Sequence, residues 1–548
     1  MARRRLSFWR FVTVLVTYTA LHFSAAQSQT SGGSYTIQGR ATNAITGSSL
    51  AHASISLEEP QDNALIASAT TDENGVFQFT YLPAGKYVLR GSHRGYLTTA
   101  YEAHESFTTA LVIGNGQRCC ENLLLQLIPE GVISGTVAED TGDPVESGSV
   151  TLYHETNRTG TEAIQRVRSV TVNEGGMYEF SDLEPGNYFL SVSATPWYNS
   201  HSPLIHSISG QHDTSGESGN AALDLVYATT FYAETTDADS ATPIPIKGGD
   251  HLRINFALHP VPAVHLHLHA ASPLSIPAIH QQIFGTSEPV MVSSIFSSNG
   301  EIEARIPPGQ YEVNSHGREG APGKQLQLNA STDQSIDIAS AAAPSLADVT
   351  GKFALSSREA LPDDIFASLI NINGDTIGTA RLNGDGTCTI RGVPPGVYRL
   401  QIEGSGKRLH VLKMAANGAL VDHRQITIGS DQVTLAATLS PDHGLAISGF
   451  ARKDSDAVSG AMIVLVPDDP AHNQDLFRRQ QSNSDGSFTI TNVEPGKYTV
   501  VAIQDGWTLD WAQPEIMRHY LQQGEPIVIT TQNPQITQLK EAVPVQVK

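Results

Sequence analysis

The strongest constraint on this chain is a phrase that it spells five times. Each copy has a turn ending in glycine, a short alternating strand, a Pro/Gly turn, and a tyrosine that opens the next strand. The copies run from Asp72 to Tyr87, Asn173 to Tyr188, Asn299 to Tyr311, Asn383 to Tyr398 and Asn483 to Tyr498. In four of them the glycine (Gly75, Gly176, Gly386, Gly486) stands twelve residues before the tyrosine, and in the third Gly300 stands eleven before Tyr311. A repeated unit is built for spacing and binding, whereas a catalytic centre is normally singular.

The phrase reads directly as β structure. Asn or Asp followed by Gly supplies the positive-φ residues of a tight hairpin, and Phe77-Gln78-Phe79-Thr80 then alternates apolar and polar with period two. The Pro-Gly step makes a second turn before the strand resumes at Tyr87, Tyr188, Tyr398 or Tyr498. A tyrosine just past such a corner packs its ring inward and bonds its hydroxyl back to the backbone in Ig-like sandwiches. No long stretch has helical periodicity.

These readings predict an all-β protein, a tandem array of about five Ig-like or transthyretin-like β-sandwich domains of about 100 residues each. A recurring Leu-x-Pro ending (Leu127-Ile-Pro129, Leu258-His-Pro260, Leu439-Ser-Pro441) marks the boundaries. They give a leader over 1–26, a linker over 27–34, and sandwiches over 35–129, 130–260, 261–344, 345–441 and 442–548. Junctions this short predict a stiff monomeric rod, with folding back of the units on one another as the alternative.

Arg3, Arg4, Arg5 and Arg10 precede an apolar run from Phe11 to about Leu21, with Ser24-Ala25-Ala26 as a small-x-small cleavage site. This is the pattern of a secretory signal peptide, so the expected location is secreted, periplasmic or on the outer surface, with no membrane insertion after cleavage. The chain carries net charge −21 and its leader is basic, so the mature protein is more acidic still. That argues against nucleic acid and anionic lipid as partners.

Three cysteines rule out a disulfide framework as the plan of stabilisation. Cys388 takes the place that Phe77, Tyr178, Ile302 and Phe488 occupy in the other copies and is expected to be buried and inert. The adjacent Cys119 and Cys120 could form a vicinal disulfide, stay free, or link to another chain.

The phrase G-x-[FY]-x-[FI]-x-x-[LV]-x-P-G-x-Y resembles carboxypeptidase regulatory-like domains, which are transthyretin-like (prealbumin-like) sandwiches grouped with carbohydrate-binding-like folds. Joining segments such as Glu105-Ser-Phe-Thr-Thr-Ala-Leu-Val-Ile-Gly114, Phe231-Tyr-Ala-Glu-Thr-Thr-Asp237 and Asp510-Trp-Ala-Gln-Pro-Glu-Ile-Met-Arg-His-Tyr520 resemble secreted tandem-array proteins of soil bacteria. The resemblance covers nearly the whole mature chain and is weakest in the third unit, which has Ile302 in place of an aromatic. It implies accessory modules with no catalytic residues and no cofactor of their own, so the chain is not expected to be an enzyme.

Candidate ligand contacts are aromatic. Tyr96, Trp197 and Trp507 stand nine residues after the repeat tyrosine in three units, with Tyr198 and Trp511 beside two of them. Rings on loops at a sandwich end can stack on sugar faces, and the competing reading is that they cap a core or pack on the next unit. His265, His267 and His269 alternate in His-Leu-His-Leu-His and would share one face of a strand. Two of them with a cross-strand ligand could hold zinc or copper, and otherwise they are the polar face of an amphipathic strand. His316-Gly-Arg-Glu319 resembles the His-x-x-Glu pair of metallocarboxypeptidases, but the repeat itself explains its spelling. Asn383-Gly-Asp-Gly386 and Asn483-Ser-Asp-Gly486 mimic calcium loops and lack their distant glutamate.

The function expected is a non-catalytic secreted binding or scaffold protein whose partner is a polysaccharide or an envelope or extracellular protein. The alternative is a structural or adhesive stalk similar to the B-type repeats of Gram-positive surface adhesins, for which Lys86 is in the wrong place for a cross-linking lysine and Lys453 is a weak candidate. A metal-dependent peptidase comes third.

Overall fold

The computed structural model describes residues 35–548 apart from 115–119, 159, 161–162, 198–223, 270–277, 291–292, 297–300, 316–323, 339–345, 357–359, 372–375, 405–406, 422–424, 430, 441–444, 472 and 531–534. The leader, Cys119, Tyr198, Gly300, His316 and Glu319 therefore lie outside the described residues. No helix among the described residues is long and apolar enough to cross a membrane. Five separate apolar cores follow one another along the chain. They run from Ile37 to Leu127, Ile133 to Leu258, Val264 to Ile338, Ala347 to Leu439 and Ile447 to Val545.

One pairing scheme recurs in all five units. The opening strands are Tyr35–Asn43, Gly131–Glu139, Val264–His269, Ala347–Leu355 and Leu445–Lys453. Each pairs antiparallel with the strand that follows the glycine turn and parallel with a closing strand of its own unit. Because first and last strands run the same way, the chain enters a sandwich at one end and leaves at the other.

The repeated turn is locked by short-range chemistry. In the first unit Asp72 Oδ1 accepts from the N–H groups of Asn74 at 2.9 Å and Val76 at 2.8 Å, and Asn173 does the same for Gly175 and Met177. Gly75, Gly176, Gly386 and Gly486 sit at φ of +75°, +68°, +81° and +77°. Their carbonyls accept from Ala41, Val137, Phe353 and Ala451 on the opening strands, each at 2.8 Å. A Cβ on Gly386 would lie 2.1 Å from the carbonyl oxygen of Phe353, so both φ and the close approach require glycine there.

The tyrosine closes the second turn in every unit. Tyr87, Tyr188, Tyr311, Tyr398 and Tyr498 each donate from the hydroxyl to the carbonyl four residues back, at 2.8–2.9 Å, with the ring buried. Burial raises the hydroxyl pKa of Tyr87, Tyr188, Tyr311 and Tyr398, to about 12 in Tyr188 and Tyr311.

The odd spacing of the third unit has a structural cause. In the other four, a left-handed residue (Tyr81, Asp182, Gly392 or Asn492) forms a bulge, and the ladder to the opening strand slips there. In the third unit Glu301–Ile306 pairs with Val264–His269 without interruption, so the missing residue is the bulge. Its missing aromatic is also compensated. Elsewhere a glycine on the opening strand faces the first inward side chain of the next: Gly39 with Phe77, Gly135 with Tyr178, Gly449 with Phe488, and Gly351 with Cys388. The third unit pairs Leu268 with Ile302 instead, dividing the same space between two medium side chains. In the fourth, the Phe353 ring lies over Gly351 and makes up for the small Cys388, which is free and buried as expected.

The stiff rod is corrected by the structure. The first junction is indeed tied on both sides, with Leu97 donating to Ile128 at 2.9 Å, Glu130 to Gly95 at 3.2 Å and Gly249 to Pro129 at 3.0 Å. Yet the chain doubles back, and the fifth unit rests against the first and second.

The volume exchange in the third unit makes a double-mutant prediction. Leu268→Gly should cost about 3 kcal/mol or more by leaving a cavity, and Ile302→Phe about 1–3 kcal/mol by overpacking. The double variant should be more stable than the sum by about 1–3 kcal/mol, read from denaturant unfolding monitored in the third unit by hydrogen exchange.

Candidate functional site

The richest concentration of polar and aromatic side chains lies where the fifth unit meets the first two. Arg479, on strand Arg478–Gln481, reaches across to Glu105 in a two-pronged ion pair: Nη1 to Oε1 at 3.2 Å and Nη2 to Oε2 at 2.6 Å. The arginine side chain is 3% exposed and that of Glu105 19%. Three rings surround the guanidinium, with centroids 5.2 Å (Phe107), 5.4 Å (Trp507) and 4.8 Å (Trp511) from its carbon. A planar, delocalised cation fits such a cage and a forked carboxylate together, which an ammonium cannot do.

Further bonds seal the contact. The His104 ring stacks on Trp507 at 4.7 Å and 6°, and its Nδ1 lies 3.1 Å from Gln481 Oε1. Gln481 Nε2 donates to the Glu102 carbonyl at 2.6 Å and to Thr109 Oγ1 at 2.7 Å. Thr109 donates to the Ser482 carbonyl at 3.3 Å, and Ser459 donates to the Glu102 carboxylate. Ser484 N–H donates to Ala110 at 3.0 Å while its hydroxyl accepts from Val112 N–H at 2.8 Å. The second unit adds Asn157, whose side-chain amide donates to the Leu509 carbonyl at 2.7 Å and whose own carbonyl accepts from the Trp511 indole at 3.1 Å. Ala512 N–H donates to Gly160 at 3.0 Å, and a Cβ on Gly160 would fall 2.2 Å from that of Ala512.

The aromatic loop candidates thus have different fates. Trp507 and Trp511 are buried in this clasp, with both indole N–H groups bonded to carbonyls, so neither face is open to a sugar. That corrects the expectation of exposed stacking rings: the rings are covered by Arg479, His104 and Phe107. Tyr96 is half-buried at the first junction, where its backbone bridges to Pro129 and its hydroxyl accepts from Asn43 at 3.0 Å. Trp197 is 57% exposed. Tyr198 lies outside the described residues.

The histidine strand keeps its predicted alternation, with Leu266 and Leu268 in the core and His267 exposed. His265 is held by two carboxylates, Nδ1 by Glu303 at 2.9 Å and Nε2 by Asp224 at 2.7 Å, and its backbone N–H donates to Asp333 Oδ1 at 2.9 Å. Asp224 also meets Arg305 at 2.9 Å. Asp224 adjoins Leu225–Tyr227, which pairs with Pro260–Pro262, so this network fastens the end of the second unit to the third. His269 Nε2 lies 3.1 Å from Ser335 Oγ. With both nitrogens of His265 engaged, the polar face of the strand serves an ion-paired junction rather than the alternative metal site, and no metal-binding cluster of three such side chains occurs among the described residues. The calcium-like turns use their oxygens internally: Asp385 and Asp485 accept from Thr387 and Ser487 N–H, each at 2.9 Å. Lys86 donates to Ser487 across the clasp at 3.3 Å.

Sequence reasoning missed Glu105, Phe107, Arg479 and Gln481. The available signal was the fifth unit's long segment between Asp505 and Gln523, dense in aromatics, which forms a second apolar cluster on the outside of its sheet together with Phe107 of the first unit.

Comparison with known proteins accords with the sandwich reading. Residues 36–113 and 132–259 match the carboxypeptidase regulatory-like domain, and residues 443–524 match the second β-sandwich domain of BOS complex subunit NOMO1-like proteins. The Streptococcal ancillary pilin is 12% identical at a TM-score of 0.19, over 51% of this chain and 98% of its own. BcpA, the major pilin subunit of Bacillus cereus, is 9% identical at 0.14, over 74% of this chain and 99% of its own. The Bacillus anthracis TIE protein is 11% identical at 0.15, over 71% and 68%. No curated protein matches the sequence. The chain is a tandem β-sandwich protein whose first two units match the carboxypeptidase regulatory-like domain.

Two measurements test the site. Arg479→Ala leaves the partly exposed Glu105 without its partner and empties the ring cage, and should weaken the clasp by about 1.5–3 kcal/mol. Small-angle scattering of the wild type should give a radius of gyration well below the about 48 Å of five in-line sandwiches, and the variant should move toward that value. At the second junction, burial lowers the His265 pKa but its bonds to Asp224 and Glu303 outweigh this, leaving it above the ordinary 6.5. A raised folded pKa means that the stabilisation is fully present below about 6.5 and is lost as pH rises through the folded value. Hydrogen exchange in residues 224–227 and 260–269 should therefore accelerate as pH rises across that window, beyond the intrinsic rate, and His265→Gln should remove the dependence.

Proposed function

We propose that this chain is a non-catalytic, secreted scaffold that holds its sandwiches in a clasped array and offers the loop carrying Trp197 to a polysaccharide or another envelope component. The observation that carries the reading is the use of side-chain chemistry. The buried arginine, the paired histidine and two of the tryptophans all serve contacts between units. The leader pattern and the acidic mature chain support export and a soluble, non-nucleic-acid role. Trp197 remains the exposed large ring of the repeated register, placed just past strand Gly186–Ala194 of a regulatory-like unit.

A second reading, a spacer with no small ligand, is favoured by the burial of Trp507 and Trp511. Retention of the purified chain on a panel of soluble and insoluble polysaccharides separates the two. The scaffold with a glycan contact predicts retention that weakens about 5- to 150-fold in Trp197→Ala, the range of one stacking ring at about 1–3 kcal/mol. Equal retention of both chains would sink the Trp197 assignment, and no retention of either would leave the spacer.

A further inference from the structure

We propose that the face formed by the first and second units is also a docking surface for the fifth unit of a second copy of this chain. The inference rests on the clasp alone and is independent of where the protein works or which glycan it meets.

The clasp is non-covalent. All three cysteines, Cys119, Cys120 and Cys388, precede the fifth unit, so no disulfide can fasten it. Its two halves are different surfaces with matched chemistry. The first unit offers acid and acceptor groups, namely the Glu105 carboxylate, the Glu102 carboxylate and carbonyl, and Thr109 Oγ1. The fifth meets them with the Arg479 guanidinium, the Gln481 amide and the Ser459 hydroxyl, and in return accepts from Thr109, Val112 N–H and Lys86 at the Ser482 carbonyl and the Ser484 and Ser487 hydroxyls. A heterologous contact of this kind does not require that both halves belong to one molecule.

Glu105 and Arg479 are 374 residues apart in sequence, so closure within one chain is favoured only by the local concentration that the intervening units impose. Two chains can exchange fifth units and keep every bond of the clasp, each copy's Arg479 cage closing on the other's Glu105. The exchanged pair has twofold symmetry and two clasps, and an unreciprocated exchange leaves a free face at each end that can take a further copy.

Complementary full-length variants test this. Glu105→Arg and Arg479→Glu each place like charges across the clasp and should remain monomeric alone. Mixed at about 100 μM, a concentration that reveals dissociation constants up to about that value, they should form a 1:1 heterodimer. In it the native Glu105 of one variant meets the native Arg479 of the other, and the reversed pair forms the second clasp. Light scattering should read a doubled mass in the mixture only. The gentler pair Glu105→Ala with Arg479→Ala repeats the test without placing a new charge in the interface, so misfolding of a charge-reversed chain does not decide it. Monomeric mass in a mixture whose components keep native strand content by circular dichroism would overturn the proposal.

Discussion

The parallel pairing of first and last strands is the constraint on which the arrangement of this protein depends. An antiparallel closing strand would return the chain to the end at which it entered. Here, pairs such as Tyr35–Asn43 with Leu123–Leu127 bring it out at the far end in each of the five units. Sandwiches linked in that way lead away from each other, and only a lateral contact can bring the ends together. The clasp is that contact, and it has to offset the ordering of a long loop. The units in between are already folded, so what the clasp orders is their relative placement and not every residue of the segment.

What those interactions are follows from burial. A carboxylate and a guanidinium withdrawn from water lose hydration that a simple Coulombic attraction barely restores. The pair is tolerable here because its geometry is two-pronged and three π faces supply the rest of the cation's surroundings. The stacked His104 and the doubly used Gln481 amide leave little of the surrounding polar surface without a partner. A contact of this composition is specific more than it is adhesive: a misplaced fifth unit would leave Arg479, caged by the tryptophans of its own unit, without its counter-charge, at a cost of several kcal/mol.

How far the sequence could be read follows the range of the forces involved. The turns, the alternating strands, the tyrosine corner and the burial of Cys388 are local, fixed by residues within about a dozen positions of one another, and five repetitions made them visible. The eleven-residue spacing of the third unit was equally visible, but its meaning, a deleted bulge with a Leu268–Ile302 exchange, needs the cross-strand register. His-Leu-His-Leu-His announced its face correctly and not its partners, since Asp224, Glu303 and Asp333 come from three other places in the chain. The clasp was illegible for the same reason. Nothing near Arg479 in sequence names Glu105, and a junction tied as tightly as that at Pro129 suggests a rod when its neighbours are unknown.

The position nine residues past the repeat tyrosine shows how one inherited register serves several ends. The corner tyrosine fixes the exit of its strand, so in the first, second and fifth units the ninth residue emerges just past that strand, and a ring there meets whatever lies beyond. In the first unit this is the peptide at Pro129, and Tyr96 becomes a junction cap. In the fifth it is the first unit itself, and Trp507 becomes the floor on which His104 stacks. In the second, Trp197 stays exposed. The same fold geometry thus supplies a joint, a lock and a largely exposed ring, and the neighbouring unit decides between them more than the residue does.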